Sequence, residues 1–323
     1  KKKNINLTVY FASNHGIKIN KDKDFNKKFA WNINLDSGYN HKFVGAFNKD
    51  VNSFFLNSEL IKKEIKDNNY DLSIVFGWNN IFYIKAIIYS FCYAKKIFLR
   101  SENNLSKKEN ILKKYLKSII FYFLFKVFDR FLVIGVRNYN FYIKNGVKKQ
   151  KLINAPYSVD NNFFKKKKLN KKKIKSKLNI KNEIVFIFSG KFIKRKRPLD
   201  ILKALNLIKP QRNDYKFLFI GDGILKEKCI SYCKKNKLKN IIFLGFVNQN
   251  EIVNYYNISD VVIMPSEYET WGLSVNEAMA SQCACLVSKE SGCSDDLVKT
   301  SGKKKNGFIF KSGDIQNLSL KIK

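Results

Sequence analysis

Two carboxylates with seven residues between them, Glu269 and Glu277, bracket the loop Thr270-Trp271-Gly272-Leu273, which follows a short apolar run over Val261–Met264. The run reads as a buried parallel strand and the residues after the loop as a helix, so the stretch is strand, tight loop, helix. At such a junction the first helical N–H groups have no partner inside the helix and carry partial positive charge. They form a ready site for an anion or a row of hydroxyls. Glu277 has a competing role, because Ser274 and Glu277 also fit a capping box. Glu269 has no such alternative and is the stronger candidate for ligand contact.

A second group of such residues follows an expected strand at 183–188: Ser189-Gly190-Lys191 and then Lys196-Arg197-Pro198. Gly190 permits close backbone approach, and Lys191 and Lys196 place two cations at a strand end, as a diphosphate requires. The spacing is not that of a Walker motif, and charge density alone would make this a solvated face. Gly221-Asp222-Gly223 reads as a tight turn after a strand over Tyr215–Ile220. Gly245-Phe246-Val247, after a strand at 240–244, either lines a base pocket or only turns the chain.

The elements that must position these residues alternate. In the first half, strands are expected at 5–11, 71–77, 96–100 and 130–134, and helices at 60–66, 81–94, 107–128 and 138–144. In the second half, strands at 183–188, 215–220, 240–244, 261–264 and 285–288 alternate with helices at 198–207, 225–236 and 248–257. Such alternation specifies an α/β protein with parallel sheets covered on both faces. Ligands of open parallel sheets bind outside the carboxyl ends of the strands. The run Lys165-Lys166-Lys167-Lys168 marks a change of composition. It reads as a solvated linker rather than a polyphosphate grip. The expected organisation is therefore an N-terminal domain over 1–163, a basic linker over 164–180 and a C-terminal domain over 181–323.

At 323 residues with 45% hydrophobic content the chain fills two cores. Its 62 Lys and Arg against 26 Asp and Glu leave a formal charge of +36. That excess either favours anionic partners or reflects Lys spread over solvated faces. Six cysteines without a CxxC pair and only two histidines argue against a zinc site and for free thiols. The longest apolar run, at 119–125, is far short of the roughly 20 residues of a spanning helix. The expectation is a cytoplasmic protein, with the inner face of a membrane as a further place of work. The helix at 112–128, which mixes lysines with aromatic residues, either lies on an anionic membrane or packs against a sheet. The chain opens without Met and stops at Lys323, which reads as a fragment.

Taken together, Ser189-Gly190-Lys191 with Lys196-Arg197-Pro198, Gly221-Asp222-Gly223, Gly245-Phe246-Val247, the segment 260–266, the Glu269 and Glu277 pair and Asn306-Gly307-Phe308 resemble the donor domain of the family 4 retaining glycosyltransferases of GT-B fold. The likeness covers nearly all of 183–314. In the first half, residues 31–39, Arg100-Ser101-Glu102 and 156–160 resemble a bacterial subgroup with less specificity. The resemblance implies two Rossmann-like domains facing a cleft, truncated at both ends: the first strand with its glycine loop and the last helix are expected to be missing. It implies that Lys191 and Lys196 neutralise a donor diphosphate, that Glu269 contacts the donor sugar and Glu277 the ribose, and that backbone groups at Trp271, Gly272 and Leu273 hold sugar hydroxyls and phosphate. Phe246 and Val247 would neighbour the base, Gly190 the phosphates.

The function this implies is transfer of a sugar from a nucleotide-diphosphate donor to a hydroxyl acceptor with retention, in cell-surface glycan or lipopolysaccharide synthesis. No bound metal or cofactor is implied, the donor being a substrate. The partners implied are a nucleotide-diphosphate sugar, a glycan or lipid-linked acceptor and an anionic membrane surface. Two departures stand out: Lys191 replaces the family's usual Arg, and Trp271 the commoner Phe. The alternatives are a GT-B sugar-nucleotide epimerase and, from another class, a basic nucleic-acid-binding protein.

Overall fold

The computed structural model describes residues 5–12, 17, 20–22, 27–29, 32, 34–44, 59–104, 111–165 and 170–323. Contacts divide the chain into two compact units, one comprising Lys1–Asn20 and Phe29–Pro156, the other Lys21–Lys28 and Tyr157–Lys323. Residues 31 and 33 of the 31–39 segment and the lysines 166–168 lie outside the described residues.

The elements up to residue 156 are β1 (Thr8–Phe11), β2 (Asn20–Asp22), β3 (Lys27–Phe29), β4 (Asn40–Phe43), α1 (Glu59–Asn68), β5 (Ser73–Val75), α2 (Ile81–Tyr93), β6 (Ile97–Arg100), α3 (Ile111–Leu124), β7 (Arg130–Val133), α4 (Val136–Lys144) and β8 (Leu152–Asn154). Strands β5, β6, β7 and β8 form a parallel sheet in that order, while β1 pairs with β4 and β2 with β3. Helix α3 starts at Ile111 and ends in a 3₁₀ turn over Phe125–Val127; its expected first residues, 107–110, lie outside the described set. The core of the first unit is aromatic: Phe131 and Tyr142, both with no exposed surface, have ring centroids 4.8 Å apart, and Trp78 meets Phe121 and Phe125 edge-on.

The second unit continues with α5 (Asn161–Phe164), α6 (Lys171–Lys177), β9 (Ile184–Ser189), α7 (Pro198–Ile208), β10 (Tyr215–Ile220), α8 (Lys226–Lys235), β11 (Ile241–Gly245), α9 (Gln249–Ile258), β12 (Val261–Met264), α10 (Leu273–Ala280), β13 (Ala284–Ser288), α11 (Ser294–Leu297), β14 (Gly307–Phe310) and α12 (Ile315–Ile322). All six strands run parallel, in the order β11-β10-β9-β12-β13-β14. This is the doubly wound order 3-2-1-4-5-6, which reverses between its first and fourth strands, here β9 and β12. Central strands such as β9, Ile-Val-Phe-Ile-Phe-Ser, are buried almost throughout because helices cover both faces. Phe186, Phe217, Phe219 and Phe192 fill one side of the sheet, with the rings of Phe217 and Phe219 stacked at 4.5 Å.

The structure differs from the expected linker. Residues 157–164 belong to the second unit, and within 164–180 the chain folds into α6. Asn170 caps that helix by accepting from the Lys173 N–H at 2.9 Å, and α6 packs on α9. Ile174 and Leu178, one turn apart, are partly buried and Ile180 is buried. Sparse apolar residues at helical spacing were masked by the surrounding lysines. Phe164 is buried as well, its carbonyl accepting from Asn257 and Ser281 side chains at 2.9 and 3.0 Å. All six cysteines are free, and burial pushes the thiols of Cys229, Cys283 and Cys293 up to about 12, which keeps them unreactive.

The same device aligns strands in both units. Asp129, just before β7, accepts from the Ile97 N–H at 2.8 Å, and its own N–H donates to the Ile97 carbonyl. Asp260, just before β12, does the same with Val185 of β9. Val185 has no exposed surface, so removing the carboxylate strands a buried N–H. Asp260→Ala should therefore cost about 1–3 kcal/mol in urea unfolding, and Asp260→Asn, which keeps an acceptor, should recover most of it.

Candidate active site

The reversal of strand order brings two loops side by side, because β9 and β12 are hydrogen-bonded neighbours. The loop after β9 carries Gly190, Lys191, Arg195 and Lys196 and ends at Arg197, whose φ of 50° precedes Pro198 at the start of α7. The loop after β12 runs from Pro265 to Gly272, the N-cap residue of α10, with φ 114°. A Cβ at Gly272 would meet the Met264 sulfur at 2.8 Å, so glycine is required there on two counts.

The loops are tied by both backbone and charge. The Glu267 N–H donates to the Arg195 carbonyl at 2.8 Å, and the Arg195 guanidinium donates to the Tyr268 carbonyl at 2.9 Å. The Lys196 ammonium pairs with the Glu269 carboxylate, which Arg195 also approaches at 3.5 Å. Lys196 and Glu269 side chains retain 16% and 13% exposure, so the pair is shielded yet still reachable. Behind them, Glu269 forms an isolated parallel bridge with Ser291, and its carbonyl accepts from the Gly292 N–H at 2.9 Å. The Cys293 N–H donates to the Trp271 carbonyl at 2.9 Å. Lys191 stands two residues beyond β9, partly exposed, at the same end of the sheet.

Trp271 is 4% exposed; its indole N–H donates to Asn276 at 2.7 Å and its ring lies 6.1 Å from that of Tyr157. Its side chain therefore braces the loop, leaving the backbone of Trp271, Gly272 and Leu273 at the start of α10, where N–H groups have no intrahelical partner. Phe246 and Val247 follow β11 at the same sheet end, two strands from β9. The Gly221 N–H donates to the Gly245 carbonyl at 2.8 Å, and a Cβ at Gly221 would fall 1.9 Å from the Gly190 oxygen. Close approach among three strand ends is thus possible only with glycine at Gly221.

Glu277 is 8% exposed in the second turn of α10. The capping-box expectation is corrected: Gly272 is the N-cap residue, no side chain caps α10, and Glu277 points instead to α9, where Gln249 Nε2 donates to it at 2.9 Å and the Tyr256 hydroxyl at 3.0 Å. A helix beginning two residues earlier than the motif requires moves Glu277 out of reach of the cap. Burial raises the Glu277 carboxyl above its ordinary range, partly offset by those two hydrogen bonds. Burial likewise pushes the enclosed Tyr256 hydroxyl up, so it stays a donor.

Gln249, Tyr256, Arg195 and the segment 291–293 were not singled out by sequence reasoning. Arg195 sat in plain view within the basic stretch. Tyr256, within Asn-Tyr-Tyr-Asn, looks like any core aromatic, and nothing local marks Gln249. Among the described residues no group of three or more His, Cys, Asp or Glu side chains converges as a metal site would require. A pocket between the Tyr157–Asn161 segment and α10, lined by Asn276, Met279 and Leu297, includes neither Lys196 nor Glu269.

The two parallel α/β units have the GT-B fold, and in the second the strand-order reversal is flanked by cationic and carboxylate loops, with the enclosed Glu277 held by two donors. The fold is that of Anabaena HepE in complex with UDP, with a TM-score of 0.67 at 16% identity over 87% of this chain and 75% of that one. Residues 170–323, a little under half of the chain, match the family described as glycosyl transferases group 1. Alpha-monoglucosyldiacylglycerol synthase of Acholeplasma laidlawii is 33% identical over 145 residues, which are 44% of this chain and 35% of that protein. The UDP-Gal:alpha-D-GlcNAc-diphosphoundecaprenol alpha-1,3-galactosyltransferase of Escherichia coli is 31% identical over 155 residues, 46% of this chain and 38% of that protein. The matched stretch thus spans less than half the length of either relative.

Two outcomes follow from this geometry. A carboxyl whose folded pKa is raised above the unfolded value costs stability as pH rises through that interval. Glu277→Gln should therefore be more stable than wild type at pH 8, with the difference shrinking as pH falls toward the ordinary Glu value; thermal melts across pH read it. At Gly292 a Cβ would lie 1.9 Å from the Thr270 oxygen. Gly292→Ala should displace the Glu269 loop and destabilise the unit by about 2 kcal/mol or more in urea unfolding.

Proposed function

We propose that the protein is a retaining, family 4 glycosyltransferase that moves a sugar from a nucleotide-diphosphate donor to a hydroxyl on a lipid-linked or growing glycan. The observation that carries this reading is the Lys196–Glu269 pair bridging the loops of β9 and β12, with Lys191 in the same loop after β9. A donor diphosphate brings more negative charge than one carboxylate, so it draws Lys196 away from Glu269 and onto the leaving group. Lys191 and Lys196 then stabilise charge as it develops on the diphosphate. Glu269, released from its lysine, contacts the hydroxyls of the transferred sugar.

Glu277, held by Gln249 and Tyr256, accepts from the ribose hydroxyls with the lone pairs those donors leave over. The backbone at Trp271, Gly272 and Leu273 holds sugar hydroxyls and phosphate, Gly190 lets the phosphates approach, and Phe246 and Val247 flank the base. With no protein nucleophile in the set, the donor phosphate acts as the base toward the acceptor. UDP in the HepE complex and UDP-Gal in the name of the Escherichia coli relative favour a UDP-sugar. Diacylglycerol and diphosphoundecaprenol in the relatives' names favour an acceptor carried on lipid.

A thermal-shift panel of UDP-, GDP- and ADP-sugars tests the donor, with UDP-sugars expected to raise the melting temperature. Donor hydrolysis should fall about 100-fold or more in Lys196→Ala and in Glu269→Gln. Wild-type turnover in the double variant would reject the assignment.

A further inference from the structure

We propose that the outer face of α3 is a docking surface for an anionic lipid bilayer. One side of this helix, Phe121 and Leu124, packs on the core of the first unit together with Phe125 of the following turn. On the opposite side Leu116, Ile119, Ile120 and Phe123 are 53%, 43%, 60% and 63% exposed. Their spacing of i, i+3, i+4 and i+7 makes one continuous apolar stripe, where a surface helix normally shows water its polar face. Neighbouring α2 exposes Ile84, Ile88 and Phe91 in the same rhythm. Because β5, β6 and β7 are adjacent in chain order, right-handed crossovers place α2 and α3 on one face of the sheet.

Charge selects the occupant. Lys117 and Lys126 are exposed on α3 and its turn, and the segment 111–128 contains no Asp or Glu. The Lys126 ammonium lies 4.2 Å from the centroid of the exposed Tyr122 ring, an aromatic and cation placed together as interfacial helices place them. A second copy of this chain would bring lysine against lysine and +36 against +36. Anionic headgroups complement the lysines while the apolar stripe enters the acyl boundary. Among the described residues no helix is long and apolar enough to cross a membrane, so this contact is peripheral. The inference needs no donor chemistry and stands or falls apart from it.

The test is sedimentation of the whole chain with vesicles of phosphatidylcholine, with or without phosphatidylglycerol. Binding is expected only with phosphatidylglycerol, weakening as salt rises. Ile120→Ser with Phe123→Ser should weaken it about tenfold or more, and Lys126→Glu should also lower it. Leu320→Ser, at an exposed apolar site of the second unit, should bind as wild type. Both the double variant and Lys126→Glu change surface side chains, and either one suffices as the test if the other loses stability. Undiminished binding in these variants, no binding to either vesicle, or a dimer in solution abolished by the double variant would overturn the proposal.

Discussion

The pairing of β9 with β12 is the constraint on which the site depends. Along the chain the two strands are separated by β10, β11 and three helices, and they become neighbours only because the chain, after building outward to β11, returns to add β12 on the other side of β9. Asp260 secures the join by accepting from the Val185 N–H at the start of both strands, so their far ends, where the loops leave, arrive in register. From there the Glu267 to Arg195 backbone bond and the Lys196 to Glu269 ion pair follow as local consequences. Gly221 lets the loop after β10 approach Gly190, and Gly272 turns the chain with a φ of 114° against Met264 at the end of β12.

Charge within the second unit is arranged at two levels of burial. Glu269 keeps access to solvent and has two cations within reach, so its partner can be exchanged without stranding a charge. Glu277 is enclosed with two neutral donors, and ionisation there works against burial. An apolar residue at that position would fill the space without a desolvation cost. Retaining a carboxyl there is the kind of local expense that a binding role explains.

The first unit solves a different problem. With short strands, it fills much of its core with rings, Phe125, Phe128, Phe131, Phe141 and Tyr142 meeting mostly edge to face. The same aromatic richness extends to surfaces where water would favour polar residues. Core packing and exposure therefore lie on opposite sides of a single helix, α3.

The sequence by itself determined the alternation of strands and helices, because buried parallel strands are continuous apolar runs and their helices carry a 3.6-residue rhythm. It also placed Lys191, Lys196, Glu269 and Glu277 at strand ends or helix starts. Local pattern misled at α6, where lysines outnumbered the two residues that set the helical face, and at Glu277, where a capping motif fitted a helix start displaced by two residues. Only the tertiary structure decided that Lys196 meets Glu269, since their separation of more than seventy residues is bridged by strand order and not by any local preference. The same holds for Gln249 and Tyr256 around Glu277, and for Trp271 turning into the core instead of the site. Which partner a side chain finds depends on burial and on neighbours supplied by distant segments, and those exist only once the sheet has closed around β9.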